Sequence, residues 1–271
     1  MQVQLYYFSG TGNSLSMARE IGKRLPGSVL VPIVGALKKN DIKTTAETVG
    51  IVFPIHNLST PKIVDRFLSR ADLSSARYIF AVATRFCSDR VFLKMDRMLK
   101  KQGKKINAWF SQEMVCNYLP LFRIPPEEAI NRMELNLPGE LDRLTDIVSA
   151  ARVHRPRDSF PLFLISRFIF FPVSVFIDRC RFPGMARSFY ADEACTGCGV
   201  CQGVCLADRI RVVSGRPVWD LSKECLYCFA CLHYCPAGAI QLKGRKTAGK
   251  GRYHHTAVRV ADIADQKRVE G

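Results

Sequence analysis

The 271-residue sequence has few acidic side chains and lacks a recognisable secretory leader. It holds 24 Asp and Glu against 40 Lys and Arg, for a formal net charge of +16. Residues 1–14 pass from a short apolar stretch into a polar glycine loop, without the charged start and apolar core of a signal peptide. We therefore expect a cytoplasmic protein with reduced cysteines, which disfavours disulfides and favours metal ligation.

The sequence also lacks a pattern of residues for acid–base or nucleophilic catalysis. Its five histidines have no recognisable partners at regular spacing, so no catalytic residue is predicted. Whether the protein is an enzyme is left open at this point.

A long uninterrupted apolar run is missing as well. Residues 160–177 approach a membrane span in length, but Pro161, Arg167 and Pro172 interrupt them, and a central arginine is costly in hydrocarbon. We expect an apolar connector packed between two domains. The alternative is a peripheral, in-plane membrane contact helped by the arginines that follow.

Eight of the eleven cysteines lie between residues 195 and 235, in a repeat with a thirty-residue offset. Each half reads C-x2-C-x2-C-x3-C, a spacing used to hold two 4Fe-4S clusters, in which the fourth cysteine of each run ligates the other cluster. The alternative is structural zinc, which typically uses two separated C-x2-C pairs. The predicted ligands are Cys195, Cys198, Cys201 and Cys235 for one cluster, and Cys225, Cys228, Cys231 and Cys205 for the second.

This cysteine region resembles the bacterial-type two-cluster ferredoxins. The likeness is carried by the repeat and by Gly197, Gly199, Ala230 and Cys235-Pro236. It departs from that family after Cys205, where Leu206 replaces the usual proline. Because neither cluster lacks a ligand, the resemblance implies electron relay and not substrate binding at an open iron. The remaining cysteines are expected to be small buried residues: Cys87, Cys116 and Cys180.

Strands alternate with amphipathic helices over the first 150 residues. The predicted strands are 2–8, 28–34, 48–55, 77–84 and 104–111, and the predicted helices are 15–25, 60–69, 89–102 and 126–153, the last broken near Pro138-Gly139. Since most of these strands are apolar throughout, we expect a doubly wound parallel sheet covered on both faces.

A glycine loop, residues 9–14, joins the first predicted strand to the first helix. It reads Ser9-Gly10-Thr11-Gly12-Asn13-Ser14. Such a loop can bind phosphate through backbone amides and the helix N-terminus, although it lacks the lysine of a nucleoside-triphosphate loop and the spacing of the dinucleotide fingerprint. It resembles the first loop of the flavodoxin family, whose Ser/Thr-x-Thr-Gly-x-Ser/Thr pattern is matched by Ser9, Thr11, Gly12 and Ser14.

The flavodoxin resemblance implies a strand order of 2-1-3-4-5 and an FMN cofactor, with its terminal phosphate held by the glycine loop. It also implies a second loop beside the flavin ring, residues 54–61, containing Pro54, His56 and Asn57, and a third, residues 84–89, beginning at Thr84. His56 stands where the family commonly has a stacking aromatic residue. The third loop lacks the glycines that its counterparts often carry.

The whole layout looks like a family of flavodoxin–ferredoxin fusion proteins of anaerobes, with a short Asn117-Tyr118 signature after the fifth strand. The predicted parts are a flavodoxin-like domain over 1–151, an apolar and basic connector over 152–189, a small α+β two-cluster ferredoxin domain over 190–243 and a mobile basic tail over 244–271. The expected function is relay of low-potential electrons between two 4Fe-4S clusters and FMN.

Three alternatives to this function stay open. The first is a ferredoxin-dependent flavin reductase of a small molecule, and the second is a ferredoxin-type carrier whose flavodoxin-like domain has lost its flavin. The third, a redox-sensing or nucleic-acid-binding protein, rests on the basic charge alone, since no nucleic-acid motif accompanies it. We expect a redox partner protein with an acidic docking face. Oligomeric state is not predicted.

Overall fold

The computed structural model describes residues 2–85 and 88–269. Its N-terminal part, the sheet domain (residues 2–151), contains a five-stranded parallel sheet of order β2-β1-β3-β4-β5. The strands are β1 Val3–Tyr7, β2 Ser28–Pro32, β3 Thr48–Phe53, β4 Tyr78–Ala83 and β5 Ala108–Ser111. Strands β3 and β4 are buried at every position, as expected for central strands covered on both faces. The predicted α/β fold and strand order are confirmed.

The described part of the sheet domain contains six helices. They are α1 Asn13–Arg24, α2 Ile33–Ala36, α3 Lys62–Arg70, α4 Arg90–Lys100, α5 Glu127–Leu135 and α6 Leu137–Ser149. The second strand is shorter than predicted, because the chain turns into α2 at Ile33. The last predicted helix breaks at Asn136, between α5 and α6. Pro138 itself lies in the first turn of α6, where its missing N–H costs no hydrogen bond.

A helical stretch called the connector helix (residues 160–186) follows the sheet domain. Its α-helical parts are α7 Phe160–Ile165, α8 Phe171–Phe176 and α9 Phe182–Ala186, separated by π-helical turns over Ser166–Phe170 and Ile177–Arg181. The first π-helical turn directly precedes Pro172, whose ring and missing N–H disturb the regular α-helical ladder. Within the described part of the chain, no helix is both long and apolar enough to span a membrane.

The connector helix contacts both domains, but its apolar side chains are not packed between them as expected. Its phenylalanines are largely exposed, with Phe160 at 73%, Phe168 at 68% and Phe176 at 58%. The expectation failed because it treated the apolar run as core, whereas the buried positions of α8 and of the turn before it are the polar Ser166 and Ser174.

The cysteine domain (residues 188–243) consists of short elements around the two cysteine runs. They are β6 Phe189–Ala191, α10 Val200–Gly203, β7 Ile210–Val213, β8 Arg216–Trp219, α11 Ala230–His233 and β9 Ile240–Leu242. Strand β6 pairs antiparallel with β9, and β7 with β8. The hydrophobic core of the sheet domain also takes in Val204, Leu206, Ala230 and Tyr234 of the cysteine domain. The two domains therefore share a core.

The last described part, the C-terminal segment (residues 244–269), is folded and not the mobile tail expected. It ends in α12, Val260–Asp265, and buries Tyr253, Val258, Ile263 and Gln266. Val258 and Ile263 belong to the core of the sheet domain. The expected tail also included residues 270 and 271, which lie outside the described residues.

Candidate iron–sulfur centre

The first three predicted cysteine ligands and one distant cysteine line a common cavity. Cys195, Cys198 and Cys201 come from the loop and first turn of α10, and Cys235 follows α11. The thiol of Cys201 is under the electrostatic influence of the other three, and burial raises its pKa to about 11. This is the set of four that the crossed ligand pattern assigns to one cluster.

The other four cysteines also gather in one place. Burial is the main cause that raises the pKa of Cys231, followed by the electrostatic influence of Cys228, Cys205 and Cys225 and, from the first group, of Cys201. Burial likewise raises the pKa of Cys228 to about 12. Buried thiols resist ionisation in the metal-free chain, whereas coordination to a metal deprotonates a thiol outright.

These two groups do not form mononuclear metal sites. Among residues 2–85 and 88–269, no three His, Cys, Asp or Glu side chains converge closely enough to hold a single metal ion. A cubane makes a different demand, because each of its four thiolates binds a separate iron at its own corner.

The backbone around the cysteines repeats as the cysteines do. Three pairs of residues, each thirty apart, share positive φ angles: Gly197 and Tyr227 (70 and 52°), Gly199 and Phe229 (78 and 57°), and Asp208 and Gly238 (50 and 60°). Tyrosine and phenylalanine rarely adopt this left-handed conformation, which glycine adopts freely. Its recurrence indicates that both runs need the same turns to direct successive cysteines towards one point. Of these six positions, only Gly197 and Gly199 were singled out from the sequence, and the backbone conformation is what all six share.

Backbone amides donate hydrogen bonds to two sulfurs of the second group. The N–H of Arg209 donates to Sγ of Cys205 at 3.3 Å, and the N–H of Tyr227 to Sγ of Cys225 at 3.4 Å. Such bonds stabilise negative charge on sulfur and are one means by which a protein tunes a cluster.

Arg209 was missed by the sequence analysis. Its side chain is 3% exposed and donates from Nε to the carbonyl of Asp220 at 3.2 Å and from Nη2 to that of Ala186 at 3.3 Å. It also interacts with the sulfur of Cys225. In the described structure no carboxylate pairs with it, and a buried unpaired cation is costly. An anionic cluster held by four thiolates would supply the missing charge. In the sequence, the position of Arg209 four residues after Cys205 is the signal that could have indicated a role beside the cluster.

Leu206 explains the departure from the ferredoxin pattern. It is 3% exposed and packs into the core of the sheet domain. A proline at position 206 would bury less apolar surface than leucine. We therefore attribute the leucine to the packing of the cysteine domain against the sheet domain. Of the other cysteines, Cys116 is half-buried, Cys180 is exposed and thus not the buried residue expected, and Cys87 lies outside the described residues.

The glycine loop is buried, and the C-terminal segment is bonded to it. Gln266, fully buried, accepts from the N–H of Ser9 at 3.0 Å and donates from its amide to the carbonyl of Ser9 at 2.8 Å. The N–H of His255 donates to the carbonyl of Thr11 at 2.8 Å. Tyr253 donates its hydroxyl hydrogen to Oδ1 of Asn13 at 2.9 Å.

Both glycines of this loop allow close approach of other parts of the chain. A methyl group on Gly10 would collide with the backbone carbonyl of Cys228. A methyl group on Gly12, where φ is 100°, would lie 2.9 Å from Cβ of both His255 and Val258. Among the hydroxyls of the loop, that of Ser9 accepts from the N–H of Gly12 at 3.2 Å, and that of Ser14 is bonded to that of Thr84 at 2.8 Å.

The second and third loops contact the connector helix. Pro54 directly follows β3, and residues 56–59 form a tight turn in which Asn57 and Leu58 both have positive φ. Asn57 donates from Nδ2 to the carbonyl of Ser174 at 2.7 Å, and loss of solvent lowers the pKa of His56 to about 4.

In the third loop, the hydroxyls of Ser88 and Ser166 are 2.7 Å apart. Phe86 and Cys87 of this loop lie outside the described residues.

The Asn117-Tyr118 pair joins the two domains. The side-chain amide of Asn117 donates to Oγ1 of Thr11, and its carbonyl accepts from Nε2 of His233 at 2.8 Å. The donor role of Nε2 follows from the other ring nitrogen, which accepts from the N–H of Tyr253 at 3.2 Å. Sequence analysis identified the pair only as a signature.

Residues 188–237 match the family model of the 4Fe-4S dicluster domain. This part of the chain is therefore a ferredoxin-type iron–sulfur domain, and iron–sulfur electron transfer is the activity that it supports. Among solved structures, the Trp repressor binding protein from Bacillus subtilis aligns with 41% of this chain and 84% of its own, at 9% identity and a TM-score of 0.31. No curated protein matches the sequence.

Proposed function

We propose that the protein is an electron carrier with two 4Fe-4S clusters bound by the crossed set of cysteines. Cys195, Cys198, Cys201 and Cys235 would hold one cluster, and Cys225, Cys228, Cys231 and Cys205 the other. The observation that carries this proposal is the cavity that joins Cys235 to the first cysteine run. The backbone repeat and the buried Arg209 beside Cys225 support it independently.

We further propose that the sheet domain is a scaffold for the clusters and holds no FMN. The support for this proposal is that the C-terminal segment lies against the glycine loop, where the hydroxyl of Tyr253 is bonded to the side chain of Asn13 and the N–H of His255 to the carbonyl of Thr11. Gln266 is hydrogen-bonded to both the N–H and the carbonyl of Ser9. Gly10 lies against the backbone of Cys228, and Gly12 lies against His255 and Val258. The ring loops are similarly bonded to the connector helix through Asn57 and Ser88.

The partner that we expect is a redox protein with an acidic docking face. The cysteine domain contributes little to the charge of +16, since residues 190–240 carry four basic and five acidic side chains. The basic surface lies on the remainder of the chain, where it would orient an acidic partner during encounter.

A cofactor inventory of anaerobically purified protein tests both proposals. We expect about eight irons and eight acid-labile sulfides per chain, as two cubanes require, and no stoichiometric flavin released on denaturation. One bound FMN per chain would overturn the scaffold proposal and restore the flavin relay or the reductase. Zinc in place of iron would overturn the carrier itself.

The crossed ligand assignment has its own test. Replacing the last cysteine, Cys235→Ser, should perturb the cluster held by Cys195 and leave the signal of the other cluster intact in electron paramagnetic resonance spectra. Cys116→Ser is the matched control and should leave both signals unchanged. Loss of the cluster held by Cys225 in Cys235→Ser would show that the ligands do not cross.

A further inference from the structure

The connector helix turns polar side chains towards the protein and exposes its apolar side chains to solvent. Its buried positions are Ser166 and Ser174, which bond to Ser88 and Asn57 of the sheet domain. Large apolar side chains, each between 37 and 73% exposed, occupy the opposite side: Phe160, Phe163, Leu164, Ile165, Phe168, Ile169, Phe171, Val173 and Phe176. A contiguous apolar patch of this kind on a folded protein marks an interaction surface.

Arginines border this apolar surface. The guanidinium of Arg90, on α4, lies 3.9 Å above the ring of Phe171 and is within electrostatic reach of Arg167. Arg167, Arg179 and Arg187 are exposed. Residues 152–189 carry seven basic and two acidic side chains. As far as the described residues go, none of these four arginines forms an ion pair.

The far end of the connector helix is fixed to the cysteine domain. Met185 is 4% exposed within the core of that domain, and Ile177 packs against the same core. The apolar surface therefore has a fixed position relative to the cysteine clusters and is not a loose tether.

We propose that the connector helix binds in the plane of an anionic membrane surface, with its phenylalanines among the acyl chains and its arginines at the headgroups. Nine hydrocarbon side chains above a border of arginines match the two layers of a membrane interface, because acyl chains bury apolar side chains and anionic headgroups neutralise the cations. A second copy of the chain would bring the same arginines against each other, because a two-fold interface pairs identical patches. Anionic headgroups instead complement them, each arginine near the surface adding to affinity.

Vesicle flotation with the iron-loaded protein tests the proposal. We expect binding to phosphatidylcholine vesicles that contain phosphatidylglycerol, weak binding to phosphatidylcholine alone, and release at high salt. Each of Phe163→Ser, Phe168→Ser and Phe176→Ser should weaken binding by about tenfold.

Controls come from equally exposed side chains elsewhere. Val213→Ser and Leu221→Ser, at 56 and 59% exposure in the cysteine domain, should not alter vesicle binding. Arg167→Gln should weaken it about fivefold, whereas the exposed Arg132→Gln should have no such effect. Visible absorbance of every variant shows that the clusters are retained, so a failure of the carrier proposal is distinguished from a failure of this one.

Two results would overturn the proposal. One is the absence of flotation with anionic vesicles by protein of full iron content. The other is a stable dimer in light scattering that the phenylalanine substitutions dissociate, since a second copy would then cover the apolar surface.

Discussion

Replacing Arg209 by methionine should lower the reduction potential of one cluster only. The guanidinium is buried and interacts with Cys225, while its own backbone N–H donates to Cys205. Reduction adds one negative charge to a cluster, and a nearby cation stabilises that charge. Removing the cation while keeping an apolar side chain of similar length therefore disfavours reduction without leaving a large void.

The size of the effect follows from the charge separation. At about 6 Å and an effective dielectric constant of about 20, two unit charges interact by ~3 kcal/mol. A one-electron couple changes by 59 mV for each tenfold change in equilibrium constant, so the expected decrease is about 130 mV. The N–H bond to Cys205 is a backbone contact and persists in the variant.

The assay is a redox titration followed by electron paramagnetic resonance, in which the two clusters are resolved. Arg211→Met, two residues along on the exposed side of β7, is the matched control and should move neither potential by a comparable amount. The assignment of Arg209 to the cluster held by Cys225 would be refuted if the potential of that cluster did not change. It would also be refuted if the potentials of both clusters shifted equally.

Three other substitutions, one of them with a matched control, test the glycine loop and the second loop. Gly10→Ala should destabilise the fold and deplete iron, because the new methyl group meets the carbonyl of Cys228. The control Gly139→Ala places its methyl group in open space on α6 and should stabilise the protein by about 1 kcal/mol. Urea titration and iron analysis measure both effects. Gln266→Ala leaves a buried amide and carbonyl of the glycine loop unpaired and should cost about 1–3 kcal/mol in the same titration. His56 has a folded-state pKa of about 4 against 6.5 when unfolded, so the unfolded chain binds more protons and stability falls as pH decreases from 6.5 towards 4. His56→Gln should flatten this loss between neutral and mildly acidic pH.

The sequence was informative where a local pattern determines structure. Apolar strands such as Thr48–Phe53 and Tyr78–Ala83 are buried at every position, so their composition alone predicts the centre of a parallel sheet. The cysteine spacing likewise restricts the ligand sets, because three ligands of each cluster lie within seven residues. These features need no knowledge of distant contacts.

Features that depend on distant contacts were not predictable. Tyr253, Val258 and Ile263 lie in a stretch with many basic residues, and the groups that bury them include residues more than 200 positions away, such as Asn13 for Tyr253 and Gly12 for Val258. The orientation of the connector helix was missed for a related reason. Hydropathy reports how apolar a run is, but Ser166 and Ser174, eight residues apart, determine which side faces the protein.

The glycine loop shows why a phosphate-binding pattern and a polypeptide-binding pattern can look alike. A phosphate and a packed polypeptide segment both approach the loop closely only where glycines leave room. Both also accept hydrogen bonds from the backbone amides of the loop. What distinguishes them is the partner of those amides, and here Gln266 supplies it for Ser9. The C-terminal segment is held at the glycine loop both by hydrogen bonds, through Gln266 and His255, and by the buried apolar side chains of Val258 and Ile263.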